Sequence, residues 1–462
     1  MAASSNRIMQ KTLWITIGLC MAPGVAIAQS VWLPGADPVN IARSGAGVAF
    51  GRSIEACSLN PALLATLQPS RAFYLSGGME MQSAQLTLPS NERVLYTTDR
   101  NRAVPSFGFG WRVTPKTALG LKLDKPFLRH AKVPSESGSR FFGQAIDLNS
   151  LRAELQLAYA VSEKFSLGVS AGITRLDYAF ETALRVAVPE AGNLPWSESN
   201  PAVALLETTA RQEGSVSGIS YGVGFRYAVN SRWTLGGSYH SGVGARPKLV
   251  ASLPPQGLDI YNTMGKSSPP PPIGVEEQAQ AVLNATTPLP GDGRLALPYK
   301  IQLGARHRYN QLMTWEIDLL YIGASSMEMP APPRVNTPSG IVSTIERNFG
   351  FKDCLAISGM MELNLGRDWI ARTGFSLDSA LRKNNEVDAM MGGAQTAGFS
   401  IGFGYRIFGG ELNVGYQFRQ AMDSETDGLE GKWSLDGPGS TGTSTRVEGM
   451  GHLWAVGFRV NF

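Results

Sequence analysis

The sequence predicts an all-β protein: a transmembrane antiparallel β-barrel of about 14 strands, with a partly helical N-terminal plug in its lumen. Three observations predict it. The last strand has one apolar face. Short turns alternate with long loops along most of the chain. An export signal opens the chain, and no later run has the roughly 18 apolar residues a membrane helix needs.

Residues 1–28 read as a signal peptide. Arg7 and Lys11 give the positive region, residues 13–22 the apolar core, and Ala26-Ile27-Ala28 an A-x-A cleavage site. An exported chain without membrane helices can span a bilayer only as a closed barrel, because only closure satisfies every strand's backbone groups in lipid. Charged residues make up 17%, below the usual quarter, and 43% are hydrophobic, which excludes a disordered chain. Net charge is +4 with no dense Lys/Arg block, which argues against a nucleic-acid partner.

Residues 29–68 are rich in Ala and Gly and lack period-2 alternation. Asn60-Pro61 before Ala62, Leu63 and Leu64 reads as a helix start, with Asn as N-cap and Pro in the first turn. Both ends of an even-stranded barrel face the same side. This segment, with Ile41, Val48, Phe50 and Leu59, is therefore expected to fold up into the lumen as a plug.

Residues 69–462 form the barrel. Ile219, Tyr221, Val223, Phe225 and Tyr227 alternate with Ser220, Gly222, Gly224 and Arg226. The same pattern recurs at 300–307, 399–406, 412–419 and 454–462. Apolar side chains to lipid and small or polar ones to a lumen is the signature of outer-membrane strands. Six short turns, near residues 114–116, 162–164, 230–232, 309–311, 366–367 and 408–410, alternate with seven long loops. These are 82–102, 130–146, 187–210, 247–292, 330–351, 380–394 and 423–447. Thirteen connections join 14 strands. A soluble β-sandwich explains the alternation but not this rhythm.

The parity places Arg152, Arg226, Arg306, Arg308, Arg406, Arg419 and Arg459 toward the lumen. An inward guanidinium could hold a carboxylate by a bidentate bond, with Arg152, Arg226, Arg306 and Arg406 as candidates, or could pair with acids such as Glu154. Pro126 interrupts the strand begun by Leu119, Leu121 and Leu123. Proline cannot donate to a ladder, so Pro126 and Phe127 mark either a gap in the wall or the outer rim. Val203, Leu205 and Leu206 read as part of a short capped helix, and Val282 and Leu283 as part of a second. Apolar residues on outer loops suit a hydrophobe-capturing groove, or else pack together to seal the barrel top.

Cys57 and Cys354 are the two cysteines after the signal, and either a disulfide or two buried thiols fits. The four histidines are scattered, no Cys/His cluster has zinc-ligand spacing, and Gly45-Ala46-Gly47 lacks the strand a dinucleotide site needs. No catalytic residue, metal or cofactor is expected. A closed barrel has no free sheet edge, so a monomer is expected.

Several fragments, taken in order, resemble the FadL/TodX family of outer-membrane transporters of long-chain fatty acids and aromatic hydrocarbons. Gly45, Gly47, Asn60, Pro61 and Ala62 are similar to its N-terminal hatch signature. Val104-Pro105-Ser106, Leu119-Gly120-Leu121 before Pro126-Phe127, Phe165-Ser166-Leu167-Gly168, residues 235–240, Leu297-Pro298 and Arg372-Thr373-Gly374-Phe375 follow. Leu63 and His240 depart from the family's pattern. The resemblance implies a plugged 14-stranded barrel in the bacterial outer membrane. A fatty acid or aromatic hydrocarbon would be caught by the outer loops and held in an inner pocket. It would then leave by passive diffusion through a lateral opening. The alternative is a barrel scaffold or secretion-associated surface protein that binds a protein partner.

Overall fold

A computed structural model describes residues 37–50, 54–68, 70–87, 93–97, 102–132, 143–187, 205–252, 259–261, 281, 284–291, 293–331, 333–337, 340–343, 350–366, 368–382, 393–422, 424–426 and 445–462. Fourteen strands close into one antiparallel barrel. They are β1 (Arg71–Thr87), β2 (Arg102–Arg112), β3 (Thr117–Asp124, resuming as Leu128–Lys132), β4 (Ala145–Ala160), β5 (Phe165–Ala187), β6 (Leu205–Ala228) and β7 (Trp233–His240). They continue as β8 (Lys300–Arg308), β9 (Met313–Ile322), β10 (Cys354–Asn364), β11 (Trp369–Asp378), β12 (Thr396–Ile407), β13 (Gly410–Ala421) and β14 (Thr445–Asn461). Closure comes from β14 pairing along the length of β1, from Ala72–Asn461 to Thr87–Arg446.

The expected alternation fixes the two faces. Ile219, Tyr221 and Val223 are exposed on the outer wall, while Ser220, Gly222 and Gly224 face in. Leu155, Leu167, Val169, Leu303, Leu319, Phe403 and Val414 extend the same outer band. The terminal strand keeps its predicted phase: Trp454 and Val456 are exposed and Ala455 is buried. Near the short turns Trp233 and Trp315 stack edge to face, and Trp369 lies against Tyr405, as aromatic residues do at a membrane interface.

The long connections are more structured than their composition suggested. Arg93–Thr97 folds back on the top of β1, and Val250–Ser252 and Asp259–Tyr261 pair with the top of β6. Arg334–Thr337 and Gly340–Ser343 form a hairpin. Barrel strands also run into the predicted loops, so β6 begins at Leu205. Leu205 and Leu206 therefore belong to a strand, not to the capped helix expected there. Their neighbour strand offers backbone partners over the full ladder, which outweighs the local cap signal. Val203, Val282, Leu283 and the signal region lie outside the described residues.

Candidate functional site

Residues 37–50 and 54–68 lie inside the barrel, and almost every one is buried. Asp37 caps the short α1 helix (Pro38–Ile41) by accepting from the Val39 and Asn40 amides. Burial, with Glu55 nearby, pushes the Asp37 carboxyl up to about 7. The chain then turns through Ser44 and Gly45, both at positive φ, and Gly47. Asn60 caps the 3₁₀ helix Pro61–Thr66 through Ala62 N, as the sequence predicted, though the helix is 3₁₀. The Asn60 amide also donates to Val48 O and to Phe225 O of β6, both at 2.8 Å. One side chain thus ties the two halves of the plug to the wall.

Inward glycines let this backbone lie against the barrel. A Cβ on Gly168 would sit 2.3 Å from Ala62 N, and one on Gly415 2.1 Å from Pro38 O. This explains part of the high glycine content.

The plug is held differently on its two sides. Toward β9–β14 the contacts are ionic. Arg43 donates to Glu362 of β10 at 2.7 Å, and Glu362 also accepts from Arg372 of β11 at 2.8 Å. Arg372 continues to Asn413 and Glu411 of β13, and Glu411 pairs with Arg459 of β14. Arg459 returns to the plug at Glu55, 3.1 Å away. Gly47 and Val48 donate to Asp318, and Ala49 to Glu316, both on β9. Toward β4–β7 the plug meets neutral hydrogen-bond partners. Gln156 donates to Cys57 O, Ser166 to Ala62 O, and His240 Nε2 lies 3.0 Å from Leu59 O.

The predicted interruption of β3 is present. Asp124 pairs with Arg152 and Leu128 with Asn149, so residues 125–127 stand opposite residues 150–151, a one-residue bulge. On the other side the β2–β3 ladder begins at Phe107–Leu123, although β1 pairs with β2 up to Arg102. Continuing that register would set Pro105 opposite Lys125. Two prolines thus flank the place where the ladder stops. Pro126 is buried, and Phe127 is 2% exposed and turned inward.

Phe127 enters an apolar cluster above the plug. Ile146 and Leu148 of β4, Leu176, Tyr178 and Phe180 of β5, and Leu295 and Leu297 from the crossover after β7 complete its core. Sequence reasoning missed this cluster. The signal was in the phase: the inward positions of β5 change from Ser166, Ser170 and Thr174 to Leu176, Tyr178 and Phe180. Outward positions change from Val169 and Ile173 to Arg175 and Asp177. That exchange marks the height at which the wall leaves the membrane. Leu128, one residue on, packs instead with Ile41 of the plug, Val104 and Leu453.

The four arginine candidates do not converge. Arg152 is engaged at Asp124 by two bonds of 2.9 and 2.8 Å. Arg306 lies over the Phe50 ring at 4.6 Å, beside Arg43 at 4.1 Å. Arg226 is half-buried near the short-turn end, and Arg406 is exposed there. Alternation assigns a face to a residue but not its height along the strand. Cys57 and Cys354 are not joined by a disulfide and lie in separate apolar clusters, and burial pushes the Cys57 thiol up.

A cavity of about 40 Å³ lies between the plug and β8–β13, lined by Ser44, Leu59, Ile322, Ser376 and Thr396 among others. An apolar cavity of roughly 150 Å³ is what benzene occupies. The space suits water.

These contacts define a transmembrane β-barrel whose lumen is filled by its own N-terminal segment. The chain belongs to the family described as outer membrane protein transport protein (OMPP1/FadL/TodX), whose model matches residues 20–462. It is a protein of the bacterial outer membrane, in a family of transport channels. Its fold is similar to that of a Pseudomonas aeruginosa FadL homologue, at 16% identity and TM-score 0.72, covering 94% of this chain and 100% of that one. It is also similar to the Pseudomonas putida toluene transporter TodX (14%, TM-score 0.61, 94% and 100%). The Ralstonia pickettii toluene transporter TbuX is a third (15%, TM-score 0.58, 93% and 99%). No curated protein matches the chain.

Proposed function

We propose that this protein lets hydrophobic compounds cross the outer membrane by passive diffusion, with the plug blocking the axial route and the β3 interruption serving as a lateral exit. The observation that carries the reading is the position of Phe127. It belongs to the strand break, and its side chain belongs to the apolar cluster above the plug. A molecule that displaced those side chains would stand directly behind the place where the β2–β3 ladder stops. No nucleotide or cofactor is needed, because partition into lipid supplies the direction.

The ligand class follows from the same geometry. Around the cluster the wall offers aliphatic and aromatic side chains, while Arg152, Arg372 and Arg459 are committed to carboxylates of the protein itself. This favours an uncharged hydrocarbon over a fatty acid. Two structurally similar proteins are described as toluene transporters, which agrees with that choice. The test is uptake of labelled toluene and labelled oleate by cells with and without the gene. Protein-dependent toluene uptake is expected. Oleate uptake alone would overturn the ligand assignment, and uptake of neither would overturn transport.

A further inference from the structure

We propose that the plug is a one-sided door: residues 37–50 and Glu55 stay bolted to β9–β14, while residues 59–67 form the flap that moves away from β3–β7. The passage then runs down the β3–β7 wall, not through the centre of the barrel.

The inference rests on how unevenly the plug is held. Among the described residues, the ion pairs between plug and wall fall on β10 and β14. Arg43 and Glu55 are the two plug ends of one chain of charges, running through Glu362, Arg372, Glu411 and Arg459. The carboxyl groups of Glu316 and Asp318 on β9 accept from three plug amides, those of Gly47, Val48 and Ala49. Ser44 and Ala42 complete the arc at Ser400 of β12. Moving this half would strand several buried charges, which is the costly way to break an ion pair. Asn40 extends the bolted half to Glu55 O and Ser58.

The other half has no such cost. The wall charges nearest to it are satisfied within the wall: Lys122 and Arg152 pair with Asp124 and Glu154. Leu59, Asn60 and Ala62 make single neutral hydrogen bonds to β5–β7, and neutral bonds exchange for water at small net cost. The remaining contacts of Leu63, Leu64 and Leu67 are apolar, with Ala118 of β3 and Ala158 of β4. Such contacts are non-directional, and the helix can slide over them.

The weak side is also the side where the wall is interrupted. Leu64 lies over Gly120, whose added Cβ would sit 2.7 Å from it. Gly120, Lys122 and Asp124 are successive inward positions of β3, and the break follows Asp124. A shift of the Pro61–Thr66 helix would therefore clear the lumen just below the break and the Phe127 cluster. Of the bolted half, Ile41 reaches the far side of the break, where it packs on Val104 and Leu128.

The first test needs no substrate. Amide hydrogen exchange of the full protein in lipid nanodiscs should show residues 59–67 exchanging at least about tenfold faster than residues 39–49, roughly 1.4 kcal/mol. Equal rates, or faster exchange at 39–49, would overturn the hinge. The second test builds on the transport reading and uses two cross-links in a Cys57→Ala, Cys354→Ala background. Ser44→Cys with Ser400→Cys locks the bolted side, where the two hydroxyls are 2.8 Å apart. Ala62→Cys with Ser166→Cys locks the flap. Oxidation should abolish toluene uptake only in the second pair, and reduction should restore it. Loss in the first pair, or retention in the second, refutes the door. If the reduced proteins carry neither toluene nor oleate, the transport reading falls, and hydrogen exchange still decides the hinge.

Discussion

Arg372→Met should destabilise the folded protein by about 3 kcal/mol. The Arg372 side chain is 4% exposed and reaches three acceptors: Glu362 at 2.8 Å, Asn413 at 2.6 Å and Glu411 at 2.9 Å. Removing one partner from a buried ionic network typically costs about 3–5 kcal/mol. The lower end applies, because Glu362 keeps Arg43 and Glu411 keeps Arg459. Asn413 Oδ1 loses its Arg372 donor. Arg372→Lys should recover only part of the loss, since an ammonium cannot serve three acceptors in the plane of a guanidinium. The exposed Arg175–Asp177 pair supplies the contrast, and Arg175→Met should cost about 0–1 kcal/mol. The assay is urea unfolding in detergent micelles, followed by the gel mobility of the folded barrel. A shift of Arg372→Met no larger than that of Arg175→Met would refute the idea that the charged chain bolts plug to wall.

Three further outcomes are expected. Asn60→Ala removes the bonds to Val48 O, Phe225 O and Ala62 N, and should loosen the plug by about 1–3 kcal/mol, read as faster proteolysis within residues 54–68 of the intact barrel. Pro126→Ala restores a donor at the β3 break and should lower toluene uptake without lowering the urea midpoint; unchanged uptake would remove the break from the route. Asp37 should make plug stability pH-dependent. Its folded value of about 7 lies above the ordinary 3.8, so the folded plug binds this proton more tightly. That contribution is complete below 3.8 and is lost as pH rises to about 7. The span corresponds to roughly 4 kcal/mol. The urea midpoint should fall across that window in the native protein and fall less in Asp37→Asn, where the buried Glu316 and Asp318 carboxyls still titrate.

Much of the architecture was legible in the chain because strand periodicity is a local property. Ile219 and Ser220 face opposite ways whatever surrounds them, and a one-residue slip would put every apolar residue in the lumen. The Asn60-Pro61 cap and the Pro126 interruption are local too, since each depends on one residue's own donors and acceptors. Leu205 and Leu206, expected in a capped helix, lie in a strand for the converse reason. A cap signal is worth little against a complete strand ladder, and β6 begins at Leu205.

By itself, then, the sequence determined the class of fold, the number of strands, the side each residue faces and where β3 breaks. Tertiary structure decided what meets what inside. Arg43 and Glu362 are 319 positions apart, and nothing in either neighbourhood announces their contact. Arg152, read either as a ligand's carboxylate partner or as paired with an acid such as Glu154, is engaged by Asp124, because closing the barrel brings those two heights together. Alternation carries one bit per residue, inward or outward. Which inward residues share a level depends on register and stagger around all 14 strands, and that is fixed only when the barrel closes.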